Sequence, residues 1–149
     1  MFQIMLKEEI NVPREIVWDV ITRTSEYPQW NKFVVSCQST FQVGSPIVMY
    51  VRVLPFMPMR QKETILKYSP GEFLEYGINI PLGLLSSSRQ HILRSTDPGK
   101  TTYESVFILK GLLSSLVGVL LGSQLRRGFS DMTKGIVSRS LEKHAEDAK

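Results

Sequence analysis

Two residues in the middle of the chain are spaced for chemistry. Arg89 and His91 stand two positions apart in the run SSSRQHILRS. In an extended segment that spacing puts both side chains on one face, opposite Gln90 and Ile92. Inside a cavity, a histidine beside an arginine is a tuned general acid or a hydrogen-bond donor to a ligand. On an outer sheet face the pair is ordinary surface charge, and that is the placement we expect for these two catalytic candidates. Tyr50 and Tyr76 add hydroxyls to segments of strand character. Other chemistry is thinly supplied. His91 and His144 are far apart and no metal-ligand spacing occurs, so no metal site is expected. G-x-S-x-G, phosphate-loop and dinucleotide glycine patterns are absent, so no nucleophilic serine and no cofactor is expected. The lone Cys37, near Val34 and Val35 and with no histidine close by, reads as a small core residue.

The bulk properties narrow the field. A chain of 149 residues, 42% hydrophobic and 21% charged, is expected to form one globular domain over 1–149, large enough for a core with a cavity. Its net charge of +4 is scattered, and no basic stripe interleaved with aromatics occurs, so nucleic acid is not an expected partner. One cysteine fits a reducing compartment, and MFQIMLKEE lacks the features of a signal peptide, so a cytoplasmic protein is expected. Oligomeric state is not legible.

Positioning any of these side chains falls to a series of strands and one long helix. Phe2–Ile10 alternates as an opening strand. In NVPREIVWDVITR, Pro13 suits the first helical position and Glu15 the first turn, ahead of the apolar face of Ile16, Val17, Val20 and Ile21. SEYPQWNKF reads as a second short helix or turn broken at Pro28. Strands follow with period two at Val34–Val43, Ile47–Val53, Arg60–Tyr68, Phe73–Ile80, Ser86–Ser95 and Thr101–Lys110. Met49 and Val51 share a face with Ile47 and Val53. On the last strand, Tyr103, Ser105, Phe107 and Leu109 share one face and Glu104 takes the other. Two loops carry an unusual apolar load, LPFMPM (Leu54–Met59) and PLGLL (Pro81–Leu85).

From Gly111 to about Ala148 the spacing predicts one helix with unlike halves. The second half is amphipathic through Leu121, Leu125, Phe129, Met132 and Ile136. The first half, with Leu112, Leu113, Leu116, Val117, Val119, Leu120 and Leu121, has almost no polar face. It is too short to cross a bilayer, which takes about 20 residues. A curled antiparallel sheet wrapped around such a helix leaves a hollow between them, and hollows are where ligands bind. Leu113, Leu116, Val117, Leu120, Leu121 and Leu125 are therefore expected to line a pocket or its mouth, facing Met49, Val51, Tyr76, Tyr103, Ser105 and Phe107. Gly118 and Gly122 are expected to be sites of close packing on the sheet.

The sequence resembles the SRPBCC superfamily, the START/Bet v 1-like helix-grip proteins, in its polyketide cyclase/dehydrase-like branch. The resemblance rests on VPREIVWDVITRTSEYPQWNKFV near the start, and on LKGLLSSLVG followed by a helix containing GFSDM. It implies an α+β fold in which a six- to seven-stranded curved antiparallel sheet wraps a long C-terminal helix, with two short helices after the first strand. It also implies an apolar cavity for lipids, polyketides or similar molecules. Trp18, Tyr27, Pro28, Trp30 and Asn31 match the opening motif and are expected to fix the short helices. Many relatives place an acid on the last strand four residues before the glycine, where this chain has Phe107.

The expected partner is thus a hydrophobic small molecule, bound or transported. Two alternatives stand beside it. One is a cyclase or dehydratase-like enzyme using His91, Arg89 and a tyrosine. The other is docking on a partner or on a membrane surface through Phe56, Met57, Leu84 and Leu85.

Overall fold

Alternation along the strands decides which face of the sheet is buried. The computed structural model describes residues 1–149. Its elements run β1 (Phe2–Ile10), α1 (Arg14–Thr22), α2 (Tyr27–Trp30), β2 (Val34–Ser39), β3 (Pro46–Leu54), β4 (Met57–Ser69), β5 (Phe73–Gly77), β6 (Asn79–Ile80), β7 (Leu85–Asp97), β8 (Lys100–Lys110) and α3 (Ser114–Asp147). The antiparallel sheet has the order β1-β8-β7-β5-β4-β3-β2, with the two-residue β6 attached to β7. Phe2 pairs with Leu109 and Ile10 with Thr101, so the first strand lies beside the last. Ile4, Met49, Ile65, Leu74, Leu93, Tyr103 and Leu109 are buried on the face that meets α3. This is the expected α+β helix-grip architecture.

Local chemistry sets the boundaries. β2 stops at Ser39, short of Val43, because Phe41 adopts φ 58° and its N–H donates to Ser39 Oγ. Pro13 sits one residue before α1 rather than inside it, and its carbonyl accepts from the Ile16 and Val17 amides. Pro28 lies in the first turn of α2, where a missing N–H does no harm. Asn31 Oδ1 accepts from the amides of Phe33 and Val34 at 3.1 and 2.9 Å, which turns the chain sharply into β2. Tyr27 donates its hydroxyl to the Ile21 carbonyl and packs edge-on to Trp30. The opening motif is structural.

The start of α3 is fixed by backbone rather than by a side-chain cap. Gly111 has φ 108°, and a Cβ there would lie 2.7 Å from the Leu84 carbonyl oxygen. The Leu112 and Leu113 amides donate to the Gly83 and Leu84 carbonyls, so the PLGLL loop is tied to the helix. Farther on, Ser114, Gly122, Leu125, Phe129, Met132, Thr133, Ile136 and Ser140 are buried against the sheet and short helices. The ring of Phe2 lies close over Gly118 and Gly122, as close packing predicts.

Three of the leucines expected to line the pocket or its mouth are not on the pocket wall. Leu113, Leu116 and Leu120 do not face the sheet. Leu116 is 54% and Leu120 64% exposed, with Leu113 exposed beside them. A helix presents only one arc to a single sheet, and the arc is set by Val117, Leu121 and Leu125 at four-residue spacing. The other three leucines lie around the circumference. Truncating Ile136, which is fully buried, to alanine is expected to destabilise the protein by about 2–5 kcal/mol. Leu120→Ser should change it by no more than about 0.5 kcal/mol. Paired denaturant unfolding curves check both.

Candidate functional site

Between the sheet and the first half of α3 lies a cavity of about 290 Å³. Of its 18 lining residues 14 are hydrophobic, so it favours an apolar occupant. The helix supplies Val117, Leu121, Leu125 and Phe129, the strands supply Val34, Met49, Val51, Val53, Leu85, Phe107 and Leu109, and Phe33 and Ile78 join them from just outside β2 and β5. Each strand contributes alternate residues, which follows from the pleat: Met49, Val51 and Val53 on β3, Tyr76 and Ile78 either side of Gly77, Phe107 and Leu109 on β8.

The four polar members are Gln61, Glu63, Ser87 and Arg89, and Tyr76, counted with the fourteen for its ring, adds a hydroxyl. Arg89 pairs with Tyr76 on β5 and with Phe107 on β8, so it stands mid-sheet. It is only 3% exposed. Its Nη1 donates to Ser105 Oγ at 2.6 Å and to the Gln90 and Val106 carbonyls at 3.3 Å. Nη2 meets Met132 Sδ at 3.7 Å, and the guanidinium lies 4.7 Å over the Phe129 ring. Behind this layer His91 sits between two tyrosines. Its Nδ1 is 2.7 Å from the Tyr103 hydroxyl and its Nε2 is 3.4 Å from the Tyr76 hydroxyl.

With this geometry in view, comparison with known proteins is informative. Residues 1–147 match the family described as polyketide cyclase / dehydrase and lipid transport. The chain belongs to that family. No curated protein sequence matches it. Solved structures similar in fold include the ZhuI aromatase/cyclase from Streptomyces sp. R1128, at 11% identity and TM-score 0.70, covering 99% of this chain and 96% of that one. A START superfamily protein from Mycobacterium smegmatis aligns at 12% identity and TM-score 0.66, covering 99% of both chains. The protein TTHA0849 from Thermus thermophilus aligns at 13% identity and TM-score 0.72, covering 95% of this chain and 99% of that one. At such identities the likeness shows the fold alone, the helix-grip fold that the resemblance implied.

Of the residues singled out from sequence, Met49, Val51, Tyr76, Phe107, Val117, Leu121 and Leu125 come together on the cavity wall. Tyr103 and Ser105 face the same way but lie beneath it, bonded to His91 and Arg89. Leu113, Leu116 and Leu120 are outside. The expected outer-face placement of Arg89 and His91 is wrong, since both are buried on the concave side. Arg89 reaches the cavity and His91 touches it only through Tyr76. Glu63 and Gln61 went unnoticed. Their signal was the parity of β4, where Ile65 marks the buried face and period two carries it to Glu63 and Gln61.

The electrostatics follow from desolvation. Burial pushes the Glu63 carboxyl up to about 7, against a downward pull from Arg89. Burial and then Arg89 hold His91 well below its ordinary value, so it is neutral. Burial pushes the Tyr76 and Tyr103 phenols up, and the Cys37 thiol to about 12, so all three stay protonated. The floor thus offers a fixed cation, a carboxyl near half-protonation at neutral pH and a phenol.

Glu63 has a consequence for stability. The folded protein keeps a proton that the unfolded chain releases above about 4.5, so the stabilisation is present below 4.5 and lost as pH rises through 7. Glu63→Gln should therefore match the parent in melting temperature near pH 4.5. By pH 8 it should melt several degrees higher, a gain on the order of 2 kcal/mol. Thermal denaturation across that pH range reads the divergence.

Proposed function

We propose that the protein binds a hydrophobic small molecule in the hollow between the sheet and α3. The observation that carries this reading is the apolar wall itself: a cavity of about 290 Å³ that side chains leave open in the middle of the molecule. An unfilled apolar cavity forfeits packing along its whole lining, a loss that a bound molecule restores. Membership in a family described by polyketide cyclisation and lipid transport supports the same reading. Binding is favoured over turnover because His91 is screened from the cavity by Tyr76 and the last strand presents Phe107 where an acid would act. A cyclase- or dehydratase-like reaction would have to use Arg89, Glu63 and Tyr76.

Mass spectrometry of the intact protein and of its organic extract is expected to reveal a bound apolar molecule. An environment-sensitive apolar dye should bind the emptied protein and bind Leu121→Trp at least tenfold more weakly, because the indole fills the hollow. Equal dye binding by both proteins, with no extractable molecule, would overturn the reading.

A second reading concerns the surface around the hollow. Phe56 is 78% exposed in the β3–β4 turn and Leu82 is 90% exposed in the β6–β7 loop. Leu84 and Leu85 are half-buried, and Leu85 belongs to the wall, so Leu82 takes the outward role assigned to them. The loop of Leu82 is bonded to the start of α3, and Pro55 shares a groove with Ser123 and Gln124 farther along it. Both apolar tips therefore flank the exposed leucines of the helix. Exposed apolar tips of this kind fit a membrane surface that donates or receives the ligand. No helix of the chain is long and apolar enough to cross a membrane. Co-sedimentation with liposomes is expected, and the double variant Phe56→Ser, Leu82→Ser should lose most of it while keeping dye binding.

A further inference from the structure

Arg89 is a buried cation that makes no ion pair; Glu63, the carboxyl that feels its charge, forms no hydrogen bond with it. The chain's ion pairs involve Arg14, Arg23, Arg94, Lys100, Arg139 and Lys143, and none includes Arg89. Carbonyls, a hydroxyl and a thioether hold two of its nitrogens. Nε has no acceptor. The side-chain atoms sealed in protein without a partner are Trp30 Nε1, Asn31 Nδ2, Arg139 Nε and Ser140 Oγ. Arg89 Nε is not among them, and Arg89 is part of the cavity wall. The edge formed by Nε and Nη2, which carries only the Met132 thioether, is the planar fork that grips a carboxylate through two parallel hydrogen bonds. A charge taken out of water in this way is stabilised only by a counter-charge with good geometry.

We propose that the occupant of the cavity is an amphiphile with a carboxylate head, seated on the open edge of Arg89 beside Glu63 and Tyr76, with its apolar body along Val117, Leu121 and Leu125. The proposal rests on the binding reading above and names the class of molecule. One guanidinium balances one negative charge, so a doubly charged phosphate head would leave one charge uncompensated in an apolar wall. A planar, singly charged acid fits. Glu63, in its protonated form, donates a hydrogen bond to such a head, and ionised Glu63 repels it.

The groups that face this spot are few. β4 brings Glu63, β7 brings Arg89 and, behind Tyr76, His91; β5 brings Tyr76, β2 brings Cys37, and β8 brings Tyr103. The helix contributes only Val117, Leu121, Leu125 and Phe129. His91 stays neutral, and the phenols and thiol stay protonated between pH 6 and 8. Glu63 alone titrates in that window.

Decanoate, decanol and decylamine, titrated into emptied protein by calorimetry at pH 6, test the proposal. The protein should prefer decanoate to decanol by at least tenfold and reject decylamine. Decanoate affinity should fall by up to about tenfold from pH 6 to 8, with Glu63→Gln removing that slope. Arg89→Gln should abolish the preference and keep decanol binding. If that variant does not fold, the three-ligand comparison on the unaltered protein still decides the matter. Decanol bound as tightly as decanoate would overturn the headgroup proposal and leave the binding reading standing. If no probe binds, nor the apolar dye, both fall together.

Discussion

The way α3 is seated on the sheet governs everything else in this molecule. At its far end the helix is held tightly. A Cβ on Gly128 would lie 2.2 Å from the Phe33 ring and one on Gly135 2.8 Å from Trp30, so the aromatics of the opening motif touch the helix backbone. Lys143 joins Asp19 at 2.9 Å and Glu26 at 3.0 Å, and Arg139 reaches Glu26 as well, fixing the last turns to the short helices. Toward its start the helix leans on β1 through Phe2 at Gly118 and Gly122. It meets β3 and β8 more lightly and scarcely touches β4 and β5. Close contact at one end and at one edge, with a concave sheet beneath, leaves a wedge of space over the middle strands. The cavity is the remainder of that packing.

The same geometry explains why polar residues survive in the wall. A fully packed core would have no room for Glu63 or Arg89 without direct pairing, because a buried lone charge is several kcal/mol unfavourable. Here Arg89 is held by Ser105, two carbonyls and the face of Phe129, which tolerates the charge without neutralising it. Glu63 responds instead by holding its proton up to about pH 7. His91 becomes neutral and lies between Tyr76 and Tyr103, so the layer under the cavity is hydrogen-bonded and uncharged. Stability is given up locally so that the floor stays polar, which is the pattern expected of a site rather than of a core.

Much of the fold was legible because it depends on local periodicity. The strand order of β8 against β1 was not; that Tyr103, Ser105, Phe107 and Leu109 share a face followed from period two, but Val106 and Ile108, apolar as well, left open which face turns inward. Arg89 and His91 were misplaced for a physical reason. On β7 the inward set is Leu85, Ser87, Arg89, His91 and Leu93, and the outward set is Ser86, Ser88, Gln90, Ile92 and Arg94. Neither set is clearly apolar, so the preference of charge for water decided wrongly where a cavity offered a third environment. Glu63 was within reach through Ile65, two residues on. The helix arc was out of reach: a segment apolar all round has no moment to point with, and only contacts with Phe2, Phe33 and Trp30 fix its rotation.

Pocket and exposed patch have one cause. The arc of α3 that closes the hollow is narrow, so widening the space beneath it turns Leu116, Val119 and Leu120 outward at the same time. The PLGLL loop then has to meet the helix with backbone, through Gly83, Leu84 and Gly111, and its one free leucine, Leu82, projects beside them. An apolar rim and a charged floor are thus opposite ends of one packing solution. A molecule that satisfies both is apolar along its length and acidic at its leading end, and it meets the rim before the floor. In the proposed complex, hydrophobic area holds the body of the ligand and the charge of Arg89 selects its head.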